Sequence, residues 1–204
     1  MEKQMKKTVI NMPFVFVLIL SILAIISCIN AYDVQVWWTE FTCAAGLVAG
    51  LGLTYRKFKF SNMSYFLLFC WCVLQLIGAH YTFERVPFDF VTNLFGFERN
   101  HYDRLAHFTV GLAAFPIAEL VYRKKWVAGK GVAVCFGILS IMALANAWEL
   151  VEWIYAEIDG GSAGLAFLGS QGDIWDAQKD MLMDTLGAIL SGILFYFSFR
   201  LKKK

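Results

Sequence analysis

The sequence predicts an all-α, polytopic membrane protein: one domain over residues 1–204, built as a bundle of six transmembrane helices with both ends in the cytosol. Three observations lead there. Apolar residues make up 59% of the chain and the mean hydropathy is +0.58, above the roughly 45–50% apolar content of a soluble domain. They gather into six blocks, each near the ~20 residues needed to cross ~30 Å of hydrocarbon. Lysines and arginines fall almost entirely in every second connection between those blocks. Lipid offers no partner to a backbone amide, and the blocks lack the alternation of barrel strands, so the spans are helices.

The first block, about 12–31, follows Lys3, Lys6 and Lys7 in the manner of a signal peptide. It runs long, with no small-x-small cleavage site before Asp33, and is expected to be retained as the first helix. The second, about 39–55, carries Gly46 and Gly50, a GxxxG pair expected to admit a neighbouring helix within the monomer. The remaining blocks are about 63–81, 105–121, 132–154 and 177–199. Outer loops of about 82–100 and 156–175 complete the chain, and Asp159-Gly-Gly-Ser-Ala-Gly in the second favours turns. Cys28, Cys43, Cys70, Cys72 and Cys135 all lie in apolar stretches, and Cys70-Trp71-Cys72 lacks a two-residue spacer, so no disulfide framework is expected.

Orientation follows from charge. Of 18 lysines and arginines, all but Arg85, Arg99, Arg104 and Lys179 fall on one side, which the positive-inside rule assigns to the cytosol. Trp37, Trp38, Tyr81, Trp153, Tyr155 and Trp175 then form the outer aromatic belt. The basic residues lie in short clusters and the net charge is +2, so nucleic acid is not an expected partner. Membrane lipids are. No GxSxG, P-loop, HExxH or paired CxxC motif occurs, which argues against the serine-hydrolase, nucleotide, zincin and zinc-ribbon classes.

The acids reverse the basic pattern: of 16, only Glu2 and Glu119 fall on the cytosolic side. At 100° per residue, Asp176, Asp180 and Asp184 occupy one narrow stripe of the sixth helix, and Asp173 joins it if the helix starts early. Glu149 and Glu152 share a face of the fifth helix, and Asp103 and His107 lie one turn apart at the outer start of the fourth. An ionised side chain at the bilayer centre costs ~2.5–3.5 kcal/mol on insertion scales, so these groups are expected to face the bundle interior. So many like charges cannot all ionise together; they must be protonated, paired with Arg104 or Lys179, or bound to a cation. The candidate metal ligands are Asp103, His107, Glu149, Glu152, Asp176, Asp180 and Asp184. Such a set suits Mg2+, Mn2+ or Ca2+, and with His107 included also Zn2+ or iron. The alternative is a buried polar network that only fixes helix register. His80 is expected at the interface, His101 in solvent, and Asp173 as a helix cap.

Asp103-Arg104-Leu105-Ala106-His107-Phe108, Trp148-Glu149-Leu150-Val151-Glu152-Trp153 and Gln171-Gly172-Asp173-Ile174-Trp175-Asp176, continuing through Asp180, Asp184 and Gly187, resemble the YjdF family of bacterial inner-membrane proteins over nearly the whole chain. The resemblance implies a six-helix plasma-membrane protein. The second half is also distantly similar to the VanZ family of the cell envelope, at Asp103, His107, Phe108, Glu149, Asp180 and Gly187, although Arg104 replaces the usual Lys.

The expected function is an acidic, cation-binding chamber opening to the outer face, serving a metal-dependent hydrolase or transferase on a lipid-linked envelope substrate. The sequence leaves open an ion-coupled transporter, a non-catalytic scaffold and an oligomer. The orientation has its own test. In a cysteine-free background, cysteines placed in 82–100 or 156–175 should react with membrane-impermeant maleimides on intact cells. One at Lys125 should react only after permeabilisation. The reverse pattern would overturn the charge argument.

Overall fold

The computed structural model describes residues 11–159 and 171–199. The basic termini and most of the Gly/Ser-rich turn segment lie outside the described residues. Within them the fold is helical with no strand: α1 (Met12–Cys28), α2 (Val34–Thr54), α3 (Asn62–Tyr81), a 3-10 turn (Phe83–Arg85), α4 (Asp89–Phe95), α5 (Tyr102–Gly111), α6 (Ala114–Arg123), α7 (Lys130–Asp159) and α8 (Asp176–Ser198). Five segments are long and apolar enough to cross a membrane, with α5 and α6 together as one, and α1 is a sixth, shorter apolar helix. The protein is a polytopic membrane protein.

Local chemistry moves the helix ends from where hydropathy puts them. The second helix starts at Val34 because the Asp33 carboxylate accepts from the Gln35 and Val36 amides at 2.8 and 3.1 Å, a side-chain cap that draws Trp37 and Trp38 into the helix. Trp37 is thereby buried, donating to Ser27 Oγ on α1 at 3.1 Å. The sixth starts at Asp176 with Trp175 as its N-cap, so Asp173 is not the expected cap: it stands in the preceding turn, its carboxylate accepting from the Trp175 amide. The outer loop after α3 is itself structured, and in α4 Phe90, Leu94 and Phe95 are exposed.

The predicted fourth span is broken. Pro116 has no amide to offer the Leu112 carbonyl four residues back, so the α-helical ladder lapses there. Leu112 and Ala113 instead donate to Thr109 and Val110 in tighter turns. Ser191 Oγ on α8 donates to the Leu112 carbonyl at 2.8 Å.

Two packing groups result. α1, α2 and α3 pack together, and α5, α6, α7 and α8 form the other group, joined to the first through α3 against α5. At the basic end, Phe115, Ala118, Val121, Ala133 and Phe195 close a dry core. Glu119 lies within it, fully buried, accepting from the Ser61 amide and hydroxyl, the Ser64 hydroxyl and Arg123.

The close helix approach is not at the expected GxxxG pair. Gly46 and Gly50 are exposed, and a Cβ on either meets nothing within 4 Å. It lies between α5 and α8, where a Cβ on Gly187 would stand 3.1 Å from the Gly111 Cα and run into the Phe108 carbonyl. Backbone on both sides leaves nothing to yield. Gly187→Ala should cost ~1–3 kcal/mol and lower the melting temperature in detergent, whereas Gly46→Ala and Gly50→Ala should be near neutral. Equal effects at the three positions would contradict this packing.

Candidate functional site

The α5–α8 approach sets the geometry of the acidic end. One turn above Gly111, His107 meets Asp184, Nδ1 to Oδ2 at 2.9 Å. The same ring turns Nε2 towards Asp103 Oδ1, 3.7 Å away, a separation too long for a hydrogen bond. Asp180, one turn outward from Asp184, completes a cluster: Asp103, His107 and Asp180 each present one ligand atom, and the three atoms lie within 4.8 Å of one another. Opposite ligands of an ion with bonds of ~2.0–2.6 Å stand ~4.0–5.2 Å apart, so the spacing fits a small cation.

Burial makes the cluster costly. Asp180 is 3% and Asp184 1% exposed, and Asp180 Oδ1 and Asp184 Oδ1 are buried without a hydrogen-bond partner. On α7, Glu149 Oε1 is likewise without one.

Asp176 departs from the rest of its stripe. Arg99 NH1 reaches it at 2.5 Å and Arg104 NH2 at 3.2 Å, while Arg104 also holds Asp173 at 2.5 Å. Lys179 joins at Asp173 Oδ2, 2.6 Å. Asp176 is therefore a member of an ion-pair lid over the cluster, whose cations neutralise it. Arg99, which the sequence reading left in the loop, is the unforeseen partner. Its position three residues before the start of α5 carries no periodic signal.

A cavity of about 340 Å³ opens between the two packing groups. Asp103, His107, Glu152 and Asp184 line it, together with Glu40 and Gln75 from α2 and α3. Glu40 is buried and accepts from Gln75 Nε2 at 2.5 Å. It was legible only as an acid inside an apolar run, with nothing in the sequence to bring it to α5. His80 is not in the cavity: its Nδ1 meets the Ser27 carbonyl at 2.9 Å and ties α3 to α1.

A family model described as "Predicted membrane protein (DUF2238)" matches residues 12–201. The chain is also 32% identical over 205 residues to "Inner membrane protein YjdF" of Escherichia coli (strain K12), an alignment covering 100% of this chain and 96% of the relative. The chain belongs to the DUF2238 family. No solved structure matches it. This DUF2238 member is a multi-pass protein of the bacterial inner membrane, as the helices and the relative together indicate. The VanZ likeness of its second half stays a resemblance.

His101, expected in solvent, is half-buried. Arg104 NH1 donates to its Nδ1 at 3.0 Å, and burial followed by the Arg104 charge lowers its pKa from the ordinary imidazole value. The unfolded chain therefore takes up a proton first, so this contribution is complete above about pH 6.5 and declines as the pH falls below it. Asp173, held below the usual carboxylate range chiefly by its hydrogen bond from Lys179, stays charged throughout that window. The melting temperature should fall between pH 7 and pH 5, and His101→Gln should flatten part of that fall. An unchanged pH profile in the variant would contradict the Arg104–His101 contact.

Proposed function

We propose that Asp103, His107 and Asp180 bind a divalent cation in a chamber open to the outer face, and that this DUF2238 protein is a metal-dependent hydrolase or transferase acting on envelope lipids. The single observation that carries the reading is the convergence of three ligand atoms from α5 and α8, next to buried carboxylate oxygens without a hydrogen-bond partner, the nearest cation to Asp180 Oδ1 being Arg104 Nε at 3.9 Å. A buried carboxylate without a partner is expensive, and a cation removes the expense. Asp184 takes a different role from its sequence assignment. By accepting from His107 Nδ1 it fixes the tautomer that leaves Nε2 free to ligate, the usual second partner of a metal-bound imidazole. Asp176 meets Arg99 and Arg104 through Oδ1, while its Oδ2 is buried without a hydrogen-bond partner, and it lies outside the three-atom cluster. Glu149 and Glu152, on the facing helix, are placed to take a proton or to orient a water.

The cation would polarise an ester or phosphoryl oxygen and lower the pKa of a water beside it. Ligand sites at one end and the packed core of α6, α7 and α8 at the other favour chemistry at the outer face over transport. Phe115, Ile141, Ala188 and Phe195 close the route inward, each at most 1% exposed.

Elemental analysis and melting of purified protein test the reading. After chelation and dialysis against Mn2+, wild type and Glu157→Gln, an exposed acid on α7, should retain about one ion. At a hundredfold excess over Kd the ion should add ~2.7 kcal/mol of stability. Asp180→Asn and His107→Gln should lose both the ion and the stabilisation. No ion in wild type, with unchanged melting, would leave a network that only orders the bundle.

A further inference from the structure

We infer that the cavity receives a zwitterionic phospholipid sideways from the outer leaflet, through the seam between α2 and α7, with its phosphate at the cation cluster and its ammonium against the remaining acids. The inference rests on the cation reading above and adds the substrate class and its route.

The cavity has the dimensions of one leaflet. Gln35 and Tyr155 line its outer mouth, while Cys43, Leu144 and Ala145 line its deep end. Eight residues separate Gln35 from Cys43 and eleven separate Leu144 from Tyr155, so the lining descends ~12 Å on α2 and ~16 Å on α7. Half of a ~30 Å hydrocarbon core is ~15 Å. The deep end is apolar, with Val110 of α5 joining Cys43, Leu144 and Ala145, and a water-soluble substrate would have no use for it.

The seam faces lipid. α2 packs on α1 and α3, and α7 on α6 and α8. At the outer rim the two walls are bridged by Gln35 Nε2 donating to the Tyr155 hydroxyl at 2.9 Å, an exposed hydrogen bond that can open without breaking a core. Leu144 lines the cavity and is nonetheless 54% exposed, so the α7 wall borders the bilayer at that depth.

Charge selects the head. Acids alone would reject a phosphate, and a divalent cation at Asp103, His107 and Asp180 reverses that locally. Arg85, half-exposed at the mouth and stacked on Tyr32 at 4.2 Å, is paired through Nε with Glu84 at 3.4 Å, and its terminal nitrogens offer a second anion partner. Glu40 and Glu152 still line the cavity beyond the cluster. They complement an ammonium on the same head, which a purely anionic lipid lacks.

Binding to Mn2+-loaded full-length protein in maltoside micelles, followed by titration calorimetry, tests this with four probes. Dioctanoyl phosphatidylethanolamine should bind at least tenfold more tightly than dioctanoyl phosphatidate, dioctanoylglycerol or glycerophosphoethanolamine, which lack the ammonium, the phosphate and the chains respectively. Leu144→Trp and Cys43→Trp, which fill the deep end, should cost tenfold or more in lipid affinity while still binding Mn2+, which also reports that they fold. Glu152→Gln should narrow the gap to phosphatidate. If glycerophosphoethanolamine binds as well as the lipid, or neither Trp variant matters, the leaflet route is wrong although the cation site stands. If phosphatidate binds equally well, the ammonium assignment is wrong. Lipid affinity unchanged by removing Mn2+ or by Asp180→Asn would overturn the placement of the phosphate and remove support for the cation reading itself.

Discussion

The distance between α5 and α8 controls the acidic end of this protein. Gly111 and Gly187 lack the Cβ atoms that would hold the helices apart, and at that separation His107 on one reaches Asp184 on the other. The break after Gly111 belongs to the same contact. Pro116 leaves the Leu112 carbonyl only a tight-turn bond from the Phe115 amide, and Ser191 of α8 donates to the same carbonyl, so the break between α5 and α6 strands no backbone acceptor there. A wider gap would separate Asp103 and His107 from Asp180, and the cluster would become three unrelated buried charges.

The two ends of the bundle treat buried carboxylates in opposite ways. Glu119, at the basic end, is completely buried, yet amide, hydroxyl and guanidinium donors surround it and it is left without need of anything else. At the other end Arg99, Arg104 and Lys179 pair with Asp173 and Asp176 at the rim, and Arg104 Nε comes only within 3.9 Å of Asp180 Oδ1. Asp180 and Asp184 below them keep unsatisfied oxygens. A sequence able to saturate one buried acid with four donors has the means to saturate the others. The deficit at the outer end is what favours a ligand over a purely structural network.

Much of this was legible in the sequence, for identifiable reasons. The blocks, the charge alternation and the inward stripe of Asp176, Asp180 and Asp184 all depend on helical periodicity and the cost of charge in lipid, which act locally. Asp103 and His107 were found the same way, one turn apart. What failed depends on contacts between distant segments or on non-helical backbone. Gly46 and Gly50 carry the right spacing but no helix comes to them, while Gly111 and Gly187 lie on different helices and form no motif. Arg99 and Asp173 lie outside the helices, where 100° per residue says nothing. Glu40 reaches the cavity because α3 packs against both α2 and α5.

The claim that the His107 Nε2 position is a cation ligand is most directly tested by pulsed electron–nuclear double resonance on Mn2+-loaded protein labelled with 15N-histidine. The account predicts hyperfine coupling from one imidazole nitrogen, absent in His107→Gln and preserved in His101→Gln and His80→Gln. A spectrum of fully hydrated Mn2+, with no nitrogen coupling in the wild type, would contradict it.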